Sequence, residues 1–368
     1  MGFFKSIFGG KKQEKVKSPN KKEQTSAMLS IQQIDRLTDD AVKVVFDVPE
    51  ELKSNYAYTP GQYLNIILTV KGEQQHRSYS ICSDVKEPLA IGIKKVEKGI
   101  VSTYFNETAQ AGDKVEVSFP QGSFTISKVE GDYLAIAAGS GITPVLSIAK
   151  LINGTATGKL NLLYGNRNDK SIMFEEELNL LSADKVQTTH VFSEQEKEGF
   201  MHGMLTEDVI TEYLKNDLEL LKAKGFYLCG PEPVIINAQN VLKRFGVAEE
   251  KIHYELFTTP VNMESNTKTV ASNFSGEAQV TVILDDEAET FALDASGDTI
   301  LNEAESHGID APYSCRGGIC CTCKAKVLKG SATMDKNFSL TDSEVDEGYI
   351  LTCQAHPNSS EITVSYDE

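Results

Sequence analysis

Long apolar runs are scarce in this sequence. The longest, such as Tyr133 to Ala138, fall far short of the roughly 20 residues a membrane-spanning helix needs. Positive charge is in deficit, with 36 Lys and Arg against 53 Asp and Glu and a net charge of −17. That balance argues against broad nucleic-acid contact, which calls for basic surface. It suits solubility or a basic protein partner. Cysteines number only seven in 368 residues, sparse for a disulfide scaffold. The patterns G-x-S-x-G, H-E-x-x-H and G-x-x-x-x-G-K-[ST] do not occur, and each belongs to a nucleophile, metal or phosphate chemistry of its own. The six histidines show no ligand spacing; His76 and His202 read as solvated, His253 as packed near the first folded unit.

What is present is unevenly distributed. Hydrophobic residues make up 40%, ample for buried cores, and the length predicts two or three domains at roughly 150 residues each. Residues 1–26 read as a basic tail, with seven Lys and two Glu in the first 25. It reads as disordered, or, through Phe3, Phe4, Ile7 and Phe8, as a weak membrane-surface contact. Residues 27–128 carry closely spaced strand patterns (Ala41 to Val48, Tyr63 to Val70, Ala90 to Val96, Lys114 to Phe119), which predicts a small antiparallel β-barrel. Residues 129–258 alternate strand and helix patterns, which predicts an α/β domain on a parallel sheet. Residues 259–276 are polar and aperiodic and read as a linker. Residues 277–368 hold 18 acidic and 5 basic residues, a net of −13, and five of the seven cysteines. The fold class is thus multidomain: β-barrel, α/β sheet and a small α+β domain.

The cysteines carry the strongest signal. Cys315, Cys320 and Cys323 stand at C-x4-C-x2-C spacing, and Cys353 follows after 29 intervening residues. This is the plant-type [2Fe–2S] arrangement. Gly317 and Gly318 let the chain wrap closely, so that backbone N–H groups reach the cluster sulfurs. A zinc site is the weaker reading, because structural zinc sites pair two knuckles and Cys353 stands alone. Cys321 is surplus and reads as pointing away from the cluster.

Three further motifs gain meaning from their order. Arg77-Ser78-Tyr79-Ser80 follows an apolar strand and a turn. A guanidinium there suits a pyrophosphate, an aromatic ring suits stacking, and the bland alternative is a surface charge beside a core tyrosine. Gly99, Val101, Ser102 and Thr103 precede a helical stretch and offer backbone donors for phosphates. Gly139-Ser-Gly141-Ile-Thr143-Pro144 lies at a strand-to-helix turn, where phosphates are expected, without the full G-x-G-x-x-G pattern. Cys229-Gly230-Pro231 follows another strand and reaches the same sheet edge; an isolated buried cysteine is otherwise inert.

Taken in order, these motifs resemble the ferredoxin–NADP reductase family fused to a plant-type ferredoxin, over residues 27–368. More narrowly they resemble the reductase components of ring-epoxidising phenylacetyl-CoA monooxygenases. The narrower likeness lies in Tyr133 to Pro144, Tyr164-Gly-Asn-Arg167, Ile252 to Pro260, Cys323 to Leu328 and Gly348 to Ala355. The resemblance implies a β-grasp cluster domain, and FAD on Arg77, Ser78, Tyr79 and Ser80 with its phosphates at Gly99 to Thr103. It implies a nicotinamide nucleotide at Gly139 to Pro144 and Cys229 to Pro231, with Glu255 and Phe257 near the two rings. Ser80, Cys229 and Glu255 are the catalytic candidates, and Cys315, Cys320, Cys323 and Cys353 the cluster ligands. Arg167 and Ser193 fall where the family contacts the adenosine ribose. Glu194 stands where many NADP-using members have arginine, and a carboxylate disfavours a 2′-phosphate unless Arg167 compensates. NADPH is the expected donor and NADH the alternative.

A nicotinamide yields two electrons together, an iron–sulfur cluster takes one at a time, and a flavin reconciles the two. The expectation is a cytoplasmic reductase feeding a di-iron oxygenase docked near the acidic C-terminal domain, acting in phenylacetyl-CoA degradation. Another oxygenase, for phenols, alkanes or steroids, is the alternative. A redox sensor is disfavoured, since a sensor needs no electron-donor site.

Overall fold

The computed structural model describes residues 25–70, 72–126, 129–261 and 274–368. The basic tail up to residue 24 and most of the expected linker lie outside the described residues.

The first unit is an antiparallel sheet. It comprises β1 (Ser26–Thr38), β2 (Ala41–Asp47), β3 (Tyr63–Val70), β4 (Glu73–Ser80), β5 (Ala90–Lys94) and β6 (Lys114–Ser118), in the order β4-β3-β6-β1-β2-β5. A bridge between Ile81 and Ile91 joins the two ends and closes the barrel. Leu29, Val44, Phe46, Leu64, Ile66, Ile91 and Val117 fill it, one face of each strand pointing inward. Helix α1 (Ile100–Glu107) packs against β2, β4 and β5. It starts at Ile100, so Val101 to Thr103 lie inside its first turn, not before it.

The second unit is a six-stranded parallel sheet: β7 (Asp132–Ala138), β8 (Lys159–Asn166), β9 (Val186–Phe192), β10 (Met201–His202), β11 (Gly225–Cys229) and β12 (Ile252–Glu255), in the order β10-β9-β8-β7-β11-β12. Its helices are α2 (Ile142–Asn153), α3 (Glu175–Leu180), α4 (Glu207–Asn216) and α5 (Glu232–Arg244). Helix α2 is buried nearly all round because it is wedged between the sheet and the barrel. Ala41, Cys82 and Ala90 of the barrel share one apolar core with Val145, Leu146 and Ala149 of α2. Lys150 adds ion pairs to Glu87 (2.8 Å) and Glu177 (3.2 Å), and Glu177 also holds Lys43 of β2 (2.6 Å). Barrel and sheet are thereby fixed to each other.

The third unit contains β13 (Glu277–Leu284), β14 (Glu287–Asp294), α6 (Ile300–Ser306), β15 (Lys324–Lys329), β16 (Ala332–Met334), α7 (Asp342–Asp346), β17 (Tyr349–Leu351), β18 (Ala355–Pro357) and β19 (Glu361–Ser365). Its main sheet runs β14-β13-β19-β15-β17, with α6 packed against β14. A core around Val280, Val282, Leu301, Leu351 and Val364 holds it together. Among the described residues no helix is long and apolar enough to cross a membrane.

Candidate functional site

The cysteine loop crosses from α6 to β15. Cys320 Sγ lies 3.1 Å from Cys315 Sγ, and the Cys323 and Cys353 thiols form a second hydrogen-bonded pair. The Gly317 N–H donates to Cys315 Sγ at 3.4 Å, and the Gly318 N–H favours the Cys353 thiolate. Both acceptor thiols are shifted below the ordinary cysteine range, chiefly by the thiol that donates to each. Among the described residues no three metal-ligating side chains converge on one point. Two pairs of sulfurs, each met by backbone N–H donors, fit two irons with two thiolates apiece. Cys321 Sγ instead points to the Ser339 carbonyl, 3.8 Å away. Gly317 is packed against the Thr259 side chain, which would have to shift because a Cβ there would lie 1.8 Å from Thr259 Oγ1.

The loop docks on the barrel through β3 and β4. Asn65 Nδ2 donates to Thr322 Oγ1 (3.0 Å) and Gln121 Oε1 (3.2 Å), and its Oδ1 accepts from Ser78 Oγ (2.7 Å). Ser78 also meets Ser314 (2.9 Å), and the Cys321 N–H donates to Tyr63 Oη (3.3 Å). His76 is only partly solvated: its ring stacks on Tyr313 at 4.5 Å, and Arg316 covers the same tyrosine at 3.9 Å.

Between these elements lies a cavity of about 560 Å³, lined by Arg77, Ser78, Ser80, Glu255, Phe257, Cys315 and Cys320, among others. Its volume falls within the roughly 300–1,000 Å³ of small-molecule sites. Register places Ser80 opposite Tyr63, and β12 ends at Glu255, so two separate sheets deliver their last residues to one point. Ser80 Oγ donates to Glu255 Oε2 at 2.9 Å. Burial raises the Glu255 carboxyl to about 7, against the opposing pull of that hydrogen bond. Arg77 uses one donor on the His76 carbonyl (2.6 Å), leaving others for an anion. An anion-ready guanidinium and a carboxyl poised near neutrality suit a flavin's pyrophosphate and ring. Tyr79 lies out of phase with Ser78 and Ser80. It packs half-buried against the barrel core and does not line this cavity.

A second cavity, of about 590 Å³, opens at the carboxyl ends of the parallel strands, where open α/β sheets bind ligands. Gly139, Arg167, Ser193, Gly230, Pro231 and Phe257 line it. Gly139 takes φ +54° with open space where a Cβ would stand, so a ligand can approach its backbone. Gly141 serves packing, since a Cβ there would lie 2.0 Å from the Cys229 carbonyl oxygen. Thr143 and Pro144 are buried in α2, and the Thr143 hydroxyl donates to the Ser140 carbonyl (2.9 Å). Cys229 is fully buried, its thiol held protonated by desolvation and then by the Glu255 charge, and it lines neither cavity. Gly99 caps α1, Val101 fills the barrel, and Ser102 Oγ accepts from the Val96 N–H at 3.1 Å. Together with Thr103 in the same turn, they line neither cavity. Sequence reasoning missed Tyr63, Asn65, Gln121, Thr259 and Thr322, whose roles depend on partners from distant segments.

A closed antiparallel barrel, a parallel nucleotide-type sheet and a cysteine loop facing Cys353 define a flavin-dependent iron–sulfur electron-transfer enzyme. Residues 28–126 match the oxidoreductase FAD-binding domain, residues 135–240 the oxidoreductase NAD-binding domain, and residues 282–358 the 2Fe-2S iron-sulfur cluster binding domain. The chain is 35% identical to a component of the 1,2-phenylacetyl-CoA epoxidase of Escherichia coli, covering 92% of this chain and 97% of the relative. It is 30% identical to the ferredoxin reductase component of 3-ketosteroid-9-alpha-monooxygenase from Mycobacterium tuberculosis, with coverage of 92% and 96%. Among solved structures, phthalate dioxygenase reductase shares the fold at a TM-score of 0.56 and 21% identity, over 92% of this chain and 98% of that one. The chain therefore belongs to the family of oxygenase reductase components, oxidoreductases that combine FAD, a pyridine nucleotide and a [2Fe–2S] cluster.

Proposed function

We propose that this reductase passes electrons from a nicotinamide nucleotide in the second cavity, through flavin in the first, to a cluster held by Cys315, Cys320, Cys323 and Cys353. One observation carries the reading: a single cavity is lined both by Ser80 and Glu255 and by the cysteines Cys315 and Cys320. In it Arg77 binds the flavin phosphates. Ser80 and Glu255 hold and move a proton at the ring edge, with Glu255 accepting or releasing it near neutral pH. Phe257 lines both cavities and so separates flavin from nucleotide.

The partner is a di-iron oxygenase acting on phenylacetyl-CoA, a reading supported by 35% identity along nearly the whole chain to the epoxidase component. A steroid oxygenase is the second reading, supported by the 30% relative. Free thiols at all seven cysteines suit a reducing, cytoplasmic setting. Anaerobic stopped-flow mixing with NADH or NADPH tests the path: flavin absorbance should bleach first and cluster absorbance second. Reconstitution with each oxygenase and its substrate then separates the partners. Failure of both nucleotides to bleach either chromophore overturns the reading.

A further inference from the structure

Asp40 stands in the turn between β1 and β2, on the barrel, yet it pairs with side chains that line the second cavity. Its Oδ2 lies 3.2 Å from Arg167 Nη2 and 3.6 Å from Lys94 Nζ. Among the described residues, Arg167 and Lys94 are the only charged side chains that line this cavity. The carboxylate is itself held in place. Thr38 Oγ1 donates to Asp40 Oδ1 at 2.8 Å, and the Lys95 N–H donates to the Asp40 carbonyl at 2.7 Å. One acidic group of the barrel thus engages both cations that line the cavity. Glu194, whose N–H donates to the Arg167 carbonyl (2.9 Å), adds a second exposed carboxylate nearby.

We infer that Asp40 is a specificity-determining residue that biases the enzyme toward the nucleotide with a free 2′-hydroxyl, NADH over NADPH. This rests on the reading of the second cavity as the nicotinamide-nucleotide site. A 2′-phosphate brings roughly 1.5–2 negative charges. It must take Arg167 from Asp40 or sit beside a fixed carboxylate. A 2′-hydroxyl brings no charge and leaves the pair intact. Arg167 is 55% exposed, so it can be drawn to a new partner once the carboxylate is removed. Exposed ion pairs are worth up to about 1 kcal/mol, or about fivefold in affinity. The effect is therefore a bias, not an exclusion.

The fragments 5′-AMP and 2′,5′-ADP differ only in the phosphate at issue. Titrated calorimetrically into the holoenzyme, 2′,5′-ADP should bind Asp40→Asn about fivefold tighter than wild type, while 5′-AMP changes less than about twofold. The double variant Asp40→Asn/Arg167→Ala should lose that gain. The ratio of kcat/KM for NADPH over NADH should rise with Asp40→Asn by a similar factor. An unchanged ratio of the two fragment affinities overturns the inference, and so does a gain that survives loss of Arg167. If neither fragment competes with NADH in wild type, the reading of the cavity falls first and the inference with it.

Discussion

Asn65 of β3 and Thr322 of the cysteine loop, 257 residues apart in sequence, are joined by a 3.0 Å hydrogen bond in which the buried amide donates. The same amide serves Gln121 and Ser78, so one side chain ties the barrel to the loop that presents Cys320. Asn65→Leu would break all three of these hydrogen bonds, each worth about 0.5–1.5 kcal/mol. Stopped-flow traces should show cluster reduction slowed several-fold while the nicotinamide-to-flavin phase keeps its rate. Equal slowing of both phases would mean that the barrel itself had been damaged.

Cys320 and Cys321 are neighbours with opposite orientations. Cys320 faces Cys315, whereas Cys321 faces the Ser339 carbonyl. Cys320→Ser should abolish the visible absorption of the cluster, and Cys321→Ser should retain it. Comparable loss from both substitutions would show that the ligand set is wrong.

Glu255 gives stability a defined pH dependence. Its carboxyl titrates near 7 in the folded protein against an ordinary value of 4.5. The folded state therefore binds the proton more tightly, and stability falls as pH rises from 4.5 through 7. Glu255→Gln removes that penalty. The melting temperature of the variant relative to wild type should rise between pH 5 and pH 8, by the equivalent of up to about 3 kcal/mol. A difference that stays flat across this range would place the Glu255 pKa near its ordinary value.

Gly317 is constrained by its neighbour across the domains, with no room between its Cα and Thr259 Oγ1. Gly317→Ala should lower the iron content of purified protein. Adding Thr259→Ala, which removes the nearest atom, should recover part of it. Iron and labile sulfide assays decide the outcome, and full occupancy in Gly317→Ala alone would count against the clash.

The expectation that the oxygenase docks near the acidic residues 277–368 can be tested directly. Replacing Asp285, Asp286 and Glu287 with their amides should raise the apparent KM for a basic oxygenase, more so at low ionic strength. Nicotinamide-driven flavin reduction should be untouched. If steady-state coupling to the oxygenase is unaffected at every salt concentration, that patch serves solubility.

Much of the architecture was legible because its signals are local. The apolar pattern of Tyr63 to Val70 marks β3 at its observed bounds, and the run from Tyr133 marks β7. The polar strand β4 gave no such pattern, because its faces meet the cysteine loop and the cavity instead of a continuous apolar core. The start of β2 at Ala41 was readable, yet nothing in Thr38-Asp39-Asp40 signals an ion pair with Arg167, 127 residues away. The expectation of NADPH came from resemblance, whereas the bias toward NADH that we infer rests on a contact between Asp40 and Arg167 that no sequence pattern shows.

The spacing of Cys315, Cys320 and Cys323, with Cys353 further on, points to cluster chemistry within the sequence itself, since thiols a few residues apart on a glycine-containing loop can reach only so far. The order of the Arg77, Gly139 and Cys229 motifs likewise declares which kinds of domain follow one another. Only the tertiary structure decides that Ser80 meets Glu255 across 175 residues and that Phe257 lines both cavities. It alone decides that Arg167 is engaged by Asp40. Hydrogen bonds and ion pairs act over about 3–4 Å, a distance that packing between separate sheets must create and that no local pattern encodes.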